Sequence, residues 1–381
     1  MKGAKSYHVA VIGAGVFGAW ISFTLRRRGK KVLLLDAYGP GHSRSSSGGE
    51  TRIIRVGYGR DELYSRFALR SLRLWRTFFR AVREPLLVPT RMLWLARNED
   101  RHPAETMCTF KRLGLKFEKL APKDLRKHFP QFSFEDVDWG LLEPAAGVLL
   151  ARRAVQIVAA EAVRNGVDYM QEMITLGDRC DRPKTPSGDI VNAESFVFAC
   201  GAWLPKLFPE ILGRYIFPTR QEVFFFAVPP GDCRFSPASL PAWYSFADEV
   251  YGLPDIENRG IKVAFDRHGP AFDPDTGERF VTESAVQSVT EIARKYFPAL
   301  KEPVLSESRV CQYENTSNGD LLIDCHPQFR NVWLVGGGSG HGFKHAPAVG
   351  EYVAGLIAGN IRPERRFALA TKRTVQSRQV V

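Results

Sequence analysis

The chain has 381 residues, 44% hydrophobic and 25% charged, which places it among ordinary globular proteins, leaves room for two domains and excludes a disordered or fibrous chain. Its formal charge of +12 could signal nucleic acid, but the basic residues are spread along the chain without an aromatic-interleaved module. No nucleic-acid partner is expected, and the positive field is expected to favour anionic substrates.

There is no run of about 18 apolar residues, and the opening MKGAKSYHVAVIG passes into a strand-like stretch without a leader cleavage pattern, so a cytoplasmic protein without a membrane span is expected. Six cysteines are scattered singly, with no C-x-x-C pair, which argues against disulfides and a structural zinc site. Cys108, Cys180, Cys200, Cys233 and Cys325 read as buried hydrophobes, as Cys311 would on its own.

In chain order, residues 8–12 form a short apolar run that turns through Gly13, Gly15 and Gly18, continues as an amphipathic segment over 16–28, and is followed by a second apolar run, 32–35, ending in Asp36. This strand, glycine turn, helix, strand unit is the context in which G-x-G-x-x-G marks a dinucleotide site. Gly13 permits the tight turn, Gly15 lets backbone approach a pyrophosphate at the helix N-terminus, Gly18 allows helix to pack on strand, and Asp36 is placed to accept from ribose hydroxyls.

A helix is predicted over 63–82 and a strand over 92–96; helix, strand, helix over 108–132; and strand, helix, strand over 146–170. Two further strand-to-glycine-to-helix units occur at 196–206 and 332–357, while 218–310 is rich in proline turns and strand-like pieces such as EVFFFAV and IKVAFD. The predicted class is therefore α/β with mixed α+β character. A discontinuous Rossmann-type domain (1–85, 146–217 and 311–381) is interleaved with a mainly antiparallel substrate domain (86–145 and 218–310). The tail from residue 371 reads as loosely ordered. The glycine fingerprint serves NAD and FAD alike.

GAGVFG, GGETRIIRVGYG, GAW, YGLP, IKVAFD, VCQYENT and GSGHGFKHAPAVGE occur in the order seen in the monomeric sarcosine oxidase family, and the chain resembles that family, with its N-methyltryptophan and pipecolate oxidases, over essentially its whole length. The resemblance implies FAD on Gly13, Gly15, Gly18 and Asp36 and on the turn bearing Gly340, Gly342 and Phe343. It also implies a covalent thioether from Cys311 to the flavin 8-alpha methyl. Lys262 matches a lysine assisting dioxygen reduction, Arg55 and Lys344 a pair holding the substrate carboxylate, Arg52 an arginine beside the flavin, and Tyr251 and Tyr313 substrate-facing tyrosines. The implied reaction is hydride transfer from a secondary or cyclic amino acid to flavin, giving an imine that hydrolyses, with dioxygen reduced to hydrogen peroxide by a monomeric enzyme.

Those residue types suit those roles. A carboxylate in a desolvated site needs paired cations, for which an arginine fork and a lysine point charge serve. A buried ammonium can stabilise superoxide. The bland alternatives are a solvated face or a salt bridge to Glu50 for Arg52 and Arg55, Lys262 on a solvated sheet face, Lys344 as a surface lysine, and His341 as a backbone anchor in a glycine turn. The chain departs from the family in having SSSGGE where a histidine commonly precedes the T-R-I-I-R arginine, and Asp266 where sarcosine oxidase has an active-site histidine. An aspartate there suits a substrate with a second cationic group, or a bulkier one, better than sarcosine. A flavin dehydrogenase using an electron-accepting partner, a NAD-dependent dehydrogenase and a non-catalytic basic nucleotide-binding protein are the competing readings.

Overall fold

The computed structural model describes residues 5–177 and 179–377. The three glycine units, far apart in sequence, supply adjacent parallel strands. Their sheet runs in the order Leu322–Cys325, Val332–Gly336, Ala193–Phe198, Tyr7–Ile12, Val32–Leu35, Asp168–Met170, and only the Leu322–Cys325 edge is antiparallel. Both faces are covered, as parallel sheets require. Val9 and Val11 enter one core while Ala10 and Ile12 enter another, the period-two split of a strand buried on both sides.

The helix Val16–Arg27 packs on Ala346–Ile357 and Ala151–Arg164, with Trp20 meeting the edges of Trp75 and Phe78 at 5.0 and 5.1 Å. Trp75 and Phe78 come from Glu62–Val82, whose start is set by the Asp61 carboxylate accepting from Tyr64 N and whose end is set by Arg83 in the left-handed region.

The second sheet has the order Leu305–Thr316, Ile216–Phe226, Ile261–Phe265, Val250–Leu253, Ala242–Ser245, Met92–Ala96, Trp139–Glu143, Glu118–Leu120, antiparallel except where Ala242–Ser245 meets Met92–Ala96. Cys311 stands opposite Gln221, Tyr313 opposite Thr219, and Lys262 opposite Phe225. Ile261 and Val263 enter the core around Trp243, whereas Ala264 packs on the other face with Val223, Phe225 and Tyr251. That face is covered too, which overturns the solvated reading of Lys262: it is only 3% exposed. A small sheet, with Thr51–Ile54 and Leu87–Val88 flanking Gly147–Leu150, carries Arg52.

Two cysteine readings are corrected. Cys108 lies on the outer face of the amphipathic helix Arg101–Leu113, and Cys233 on a surface turn after the Pro-Pro-Gly bend; both are exposed. The tail is better anchored than expected as far as it is described: Lys372 Nζ donates to Arg366 O at 2.9 Å, and Ser377 N to Ser317 O at 2.7 Å. Residues 378–381 lie outside the described residues. Among the described residues no helix is long and apolar enough to cross a membrane.

A Cβ on Gly18 would lie 1.7 Å from Gly13 O, backbone that cannot swing aside. Gly18→Ala is expected to cost at least the upper part of the about 1–3 kcal/mol usual for overpacking, read as a lower denaturant midpoint with unchanged slope.

Candidate active site and cofactor cleft

The carboxyl ends of Tyr7–Ile12, Ala193–Phe198 and Val332–Gly336 open on a cleft of about 350 Å³ lined by Gly13, Gly15, Asp36, Gly340, Gly342 and Phe343 among others. This is where open α/β sheets take ligands. Gly13 has φ +102°, and a Cβ there would lie 2.4 Å from Ala199 O; at Gly15 only Ser47 Oγ, at 3.5 Å, comes within contact, leaving the backbone open to the cleft. No acidic side chain stands in the first helical turn, which keeps the helix N-terminus receptive to an anion. Asp36 accepts from Ala14 N (2.6 Å), Tyr38 N (2.8 Å) and Gly39 N (2.7 Å), so about one of its four acceptor sites is left for a ribose hydroxyl.

Three buried polar atoms on cleft-lining residues have no hydrogen-bond partner among the described residues: Ser46 Oγ, Gln312 Nε2 and Glu314 Oε2. Such orphans are costly in a folded protein unless a ligand meets them, and with the open Gly15 backbone they fit a dinucleotide.

Arg52, Tyr251, Tyr313, Cys311, Lys262 and Asp266 form a second constellation. Arg52 donates to Thr51 O at 2.7 Å and Ser46 O at 2.6 Å, and reaches Cys311 Sγ at 3.4 Å. Burial pulls its pKa down, but Cys311, Tyr251 and Tyr313 more than offset that and hold it above its ordinary value. Glu50 pairs instead with Arg152 at 2.7 Å and Arg309 at 3.6 Å, leaving both predicted arginines for other work. Cys311 is 6% exposed; Ser46, Arg52, Gln312 and Tyr313 beside it line the cleft, although Cys311 itself does not.

Tyr251 and Tyr313 lie within hydrogen-bonding reach of each other, and Asp266 raises the pKa of both after burial has done so. The Lys262 ammonium lies 5.7 Å from the Tyr251 ring and 6.0 Å from that of Phe225. Burial, reinforced by Arg52, pulls its pKa down to about 7.

The other two predicted cations meet around Tyr58. Lys344, 4% exposed and so no surface lysine, donates to the Tyr58 hydroxyl at 2.8 Å, while the Arg55 guanidinium lies 4.5 Å from the Tyr58 ring and 4.7 Å from that of Trp94. Burial followed by Arg55 drives His102 down to about 3, and burial followed by Lys344 and Arg55 drives His345 well down, so both imidazoles are neutral beside the two cations. Glu143 accepts from Val56 N (2.5 Å) and Gly57 N (3.2 Å) behind Arg55. His341 bonds Gly319 O through Nε2 at 2.9 Å and the Tyr58 hydroxyl through Nδ1 at 3.1 Å, which ties the glycine turn to this cluster.

Sequence reasoning assigned no role to Tyr58, Glu143, Ser47 or Glu314. Tyr58 stood within a quoted motif; Ser47, noted only as a departure, accepts from Val16 N at 3.1 Å at the start of the first helix. Glu143 gave no signal, because its partners are backbone N–H groups 86 and 87 residues away.

The sheet order, glycine cradle and cleft define a dinucleotide-dependent α/β enzyme. The family described as FAD dependent oxidoreductase matches residues 8–356, and the chain belongs to it. The chain is 30% identical to monomeric sarcosine oxidase of Arthrobacter sp. (92% of each chain) and 31% identical to peroxisomal sarcosine oxidase of Mus musculus (90% and 89%). It is 27% identical to N-methyl-L-tryptophan oxidase of Salmonella typhimurium (93% and 95%). Its fold matches L-proline dehydrogenase from P. horikoshii (TM-score 0.84, 21% identity, 96% and 97% covered) and glycine oxidase from Geobacillus kaustophilus (TM-score 0.80, 20% identity, 96% and 98% covered). It is thus an FAD-dependent oxidoreductase of the sarcosine oxidase and amino acid oxidase type, which meets the expectation of a flavoenzyme acting on CH–NH bonds.

Proposed function

We propose that the chain oxidises a secondary amino acid, N-alkylated or cyclic, using dioxygen and releasing hydrogen peroxide. The convergence of Arg55 and Lys344 on Tyr58 carries this reading, because a buried lysine and a half-buried arginine with neutral histidines around them make a place for a carboxylate. FAD, when bound, supplies the acceptor for a hydride from the carbon alpha to nitrogen and the donor of electrons to dioxygen, leaving an imine for water to hydrolyse. In this reading Gly13, Gly15, Gly18, Asp36, Gly340, Gly342 and Phe343 hold the cofactor. Arg55 and Lys344 fix the substrate carboxylate, Tyr251 and Tyr313 bound the space for the amine, and Arg52 supplies positive charge beside Cys311. Lys262 meets dioxygen.

The same reading assigns 1–85, 146–217 and 311–381 to FAD and 86–145 and 218–310 to the substrate. It takes the protein to be a cytoplasmic monomer, in keeping with relatives named monomeric. Anaerobic mixing with N-methyl and cyclic amino acids is expected to bleach the flavin band, and admitted air to release peroxide. The corresponding amines lacking a carboxylate are expected to do neither at equal concentration. Equal bleaching by both sets overturns the reading.

Asp266, beside Tyr251 and Tyr313, is proposed to select a substrate with a second cationic group. Asp266→Asn is then expected to lower the preference for basic over neutral N-alkyl amino acids by about tenfold or more, the value of one hydrogen bond to a charge. An unchanged kcat/KM ratio counts against it.

A further inference from the structure

We propose that Glu314 is a further cofactor residue and that its carboxyl must carry a proton for FAD to bind tightly, so that ambient pH sets how readily the apoprotein loads. The inference rests on FAD occupying the cleft. Glu314 is 7% exposed and lines the cleft; Oε1 accepts from Gly338 N at 3.3 Å, and Oε2 has no partner among the described residues. The strand Leu305–Thr316 directs it between two of the glycine turns: a Cβ on Gly336 would lie 3.1 Å from Oε2, one on Gly338 3.2 Å from Oε1, and one on Gly201 3.9 Å from Oε2. The carboxyl thus stands where the strand ends converge on the cleft.

Among the described residues no cation pairs with it. Pro218 faces it across the ribbon, the Gly336–Gly338 turn has no titratable side chain, and Cys200 on the remaining turn is a thiol pushed far up by burial, then by Asp36 and Glu314. Next to it in sequence, Tyr313 is likewise held neutral by burial. Elsewhere around the cleft stand Asp36, His42, Glu172 and Arg52, with Lys206 held by Asp273 (2.9 Å) and Asp275 (2.5 Å). Burial alone therefore raises the Glu314 pKa, to about 7, against the pull of the Gly338 and Gly337 amides.

An ionised carboxylate in this low-dielectric site opposes the anionic diphosphate of FAD, whereas the protonated form can donate from Oε2 to an oxygen of the cofactor. The sign follows: binding the anion raises the Glu314 pKa further, so affinity is full below about pH 7 and falls as pH rises, up to tenfold per unit, until the bound-state pKa is reached.

The test uses the full chain carrying Cys311→Ser, so that cofactor can be removed and returned, with FAD binding followed by flavin fluorescence from pH 6 to 9. The dissociation constant is expected to rise by roughly 100-fold across that range, one proton per FAD. Calorimetry at pH 8 in two buffers of different ionisation enthalpy is expected to show proton uptake. Adding Glu314→Gln, a neutral donor of the same shape, is expected to hold binding near its low-pH strength throughout, which separates Glu314 from His42. A pH-independent dissociation constant with no proton uptake overturns the proposal while leaving the cleft assignment intact. No FAD binding at any pH overturns the cleft assignment itself.

Discussion

Lys262→Met is expected to slow reoxidation of the reduced enzyme by dioxygen by about 100-fold or more, with little change in the rate at which substrate bleaches the flavin. The size is that of removing one preorganised charge from a desolvated reacting site. Methionine keeps an unbranched apolar stem and deletes the ammonium that lies 6.0 Å from the Phe225 ring and 5.7 Å from that of Tyr251. In the proposed oxidase, the first electron transfer to dioxygen would create superoxide, an anion that a fixed cation stabilises most where water is absent. Burial and Arg52 hold the Lys262 pKa down to about 7, and an anionic reduced ring would raise it. The cation is thus present at low pH and lost as pH rises through a value no lower than about 7, so wild-type reoxidation is expected to decline on that alkaline limb. Lys262→Met is expected to be flat there. Stopped-flow mixing of photoreduced enzyme with aerated buffer measures both. Sluggish wild-type reoxidation unaffected by the substitution favours a dehydrogenase with a protein or quinone acceptor.

What could be read from the sequence divides along physical lines. The glycine fingerprint was legible because each glycine answers a local backbone demand: positive φ at Gly13, an open approach at Gly15 and a 1.7 Å conflict at Gly18. The parallel sheet was legible because Tyr7–Ile12, Val32–Leu35 and Val332–Gly336 are largely apolar runs. Arg52, Arg55, Lys262 and Lys344 were legible only through family resemblance, since charge and alternation alone allowed a solvated face or a pair with Glu50. Burial decided against the solvated face for Lys262 and Lys344, and the pairing of Glu50 with Arg152 and Arg309 decided against the salt bridge; both are properties of the assembled sheets. Glu143 and Glu314 escaped because nothing local distinguishes a buried carboxyl from a surface one: one is fixed by Val56 and Gly57, the other by a turn 24 residues on. Cys108 and Cys233 failed in the opposite sense, since an isolated cysteine says nothing about which face of its element it occupies.

Cys311→Ser is expected to convert a flavin that stays with the unfolded polypeptide into one that washes free. Cys311 differs from the other cysteines in its surroundings. Cys180, Cys200 and Cys325 are each pushed up by burial and then by a neighbouring aspartate, which suits an inert thiol. Cys311 instead has the Arg52 guanidinium 3.4 Å from its sulfur, and Ser46, Gln312 and Tyr313 beside it line the cofactor cleft. With FAD in the cleft, Arg52 would hold positive charge between the sulfur and the flavin edge, where it would favour attack by Cys311 on the flavin methyl. Arg52→Lys, lacking the fork that also holds Thr51 O and Ser46 O, is therefore expected to slow attachment without abolishing binding. Acid denaturation followed by mass measurement of the polypeptide is decisive. Wild-type protein that keeps the mass of its cofactor, beside a Cys311→Ser variant that loses it, places the tether on this sulfur; wild-type protein of apoprotein mass means the enzyme uses the fold without a covalent bond.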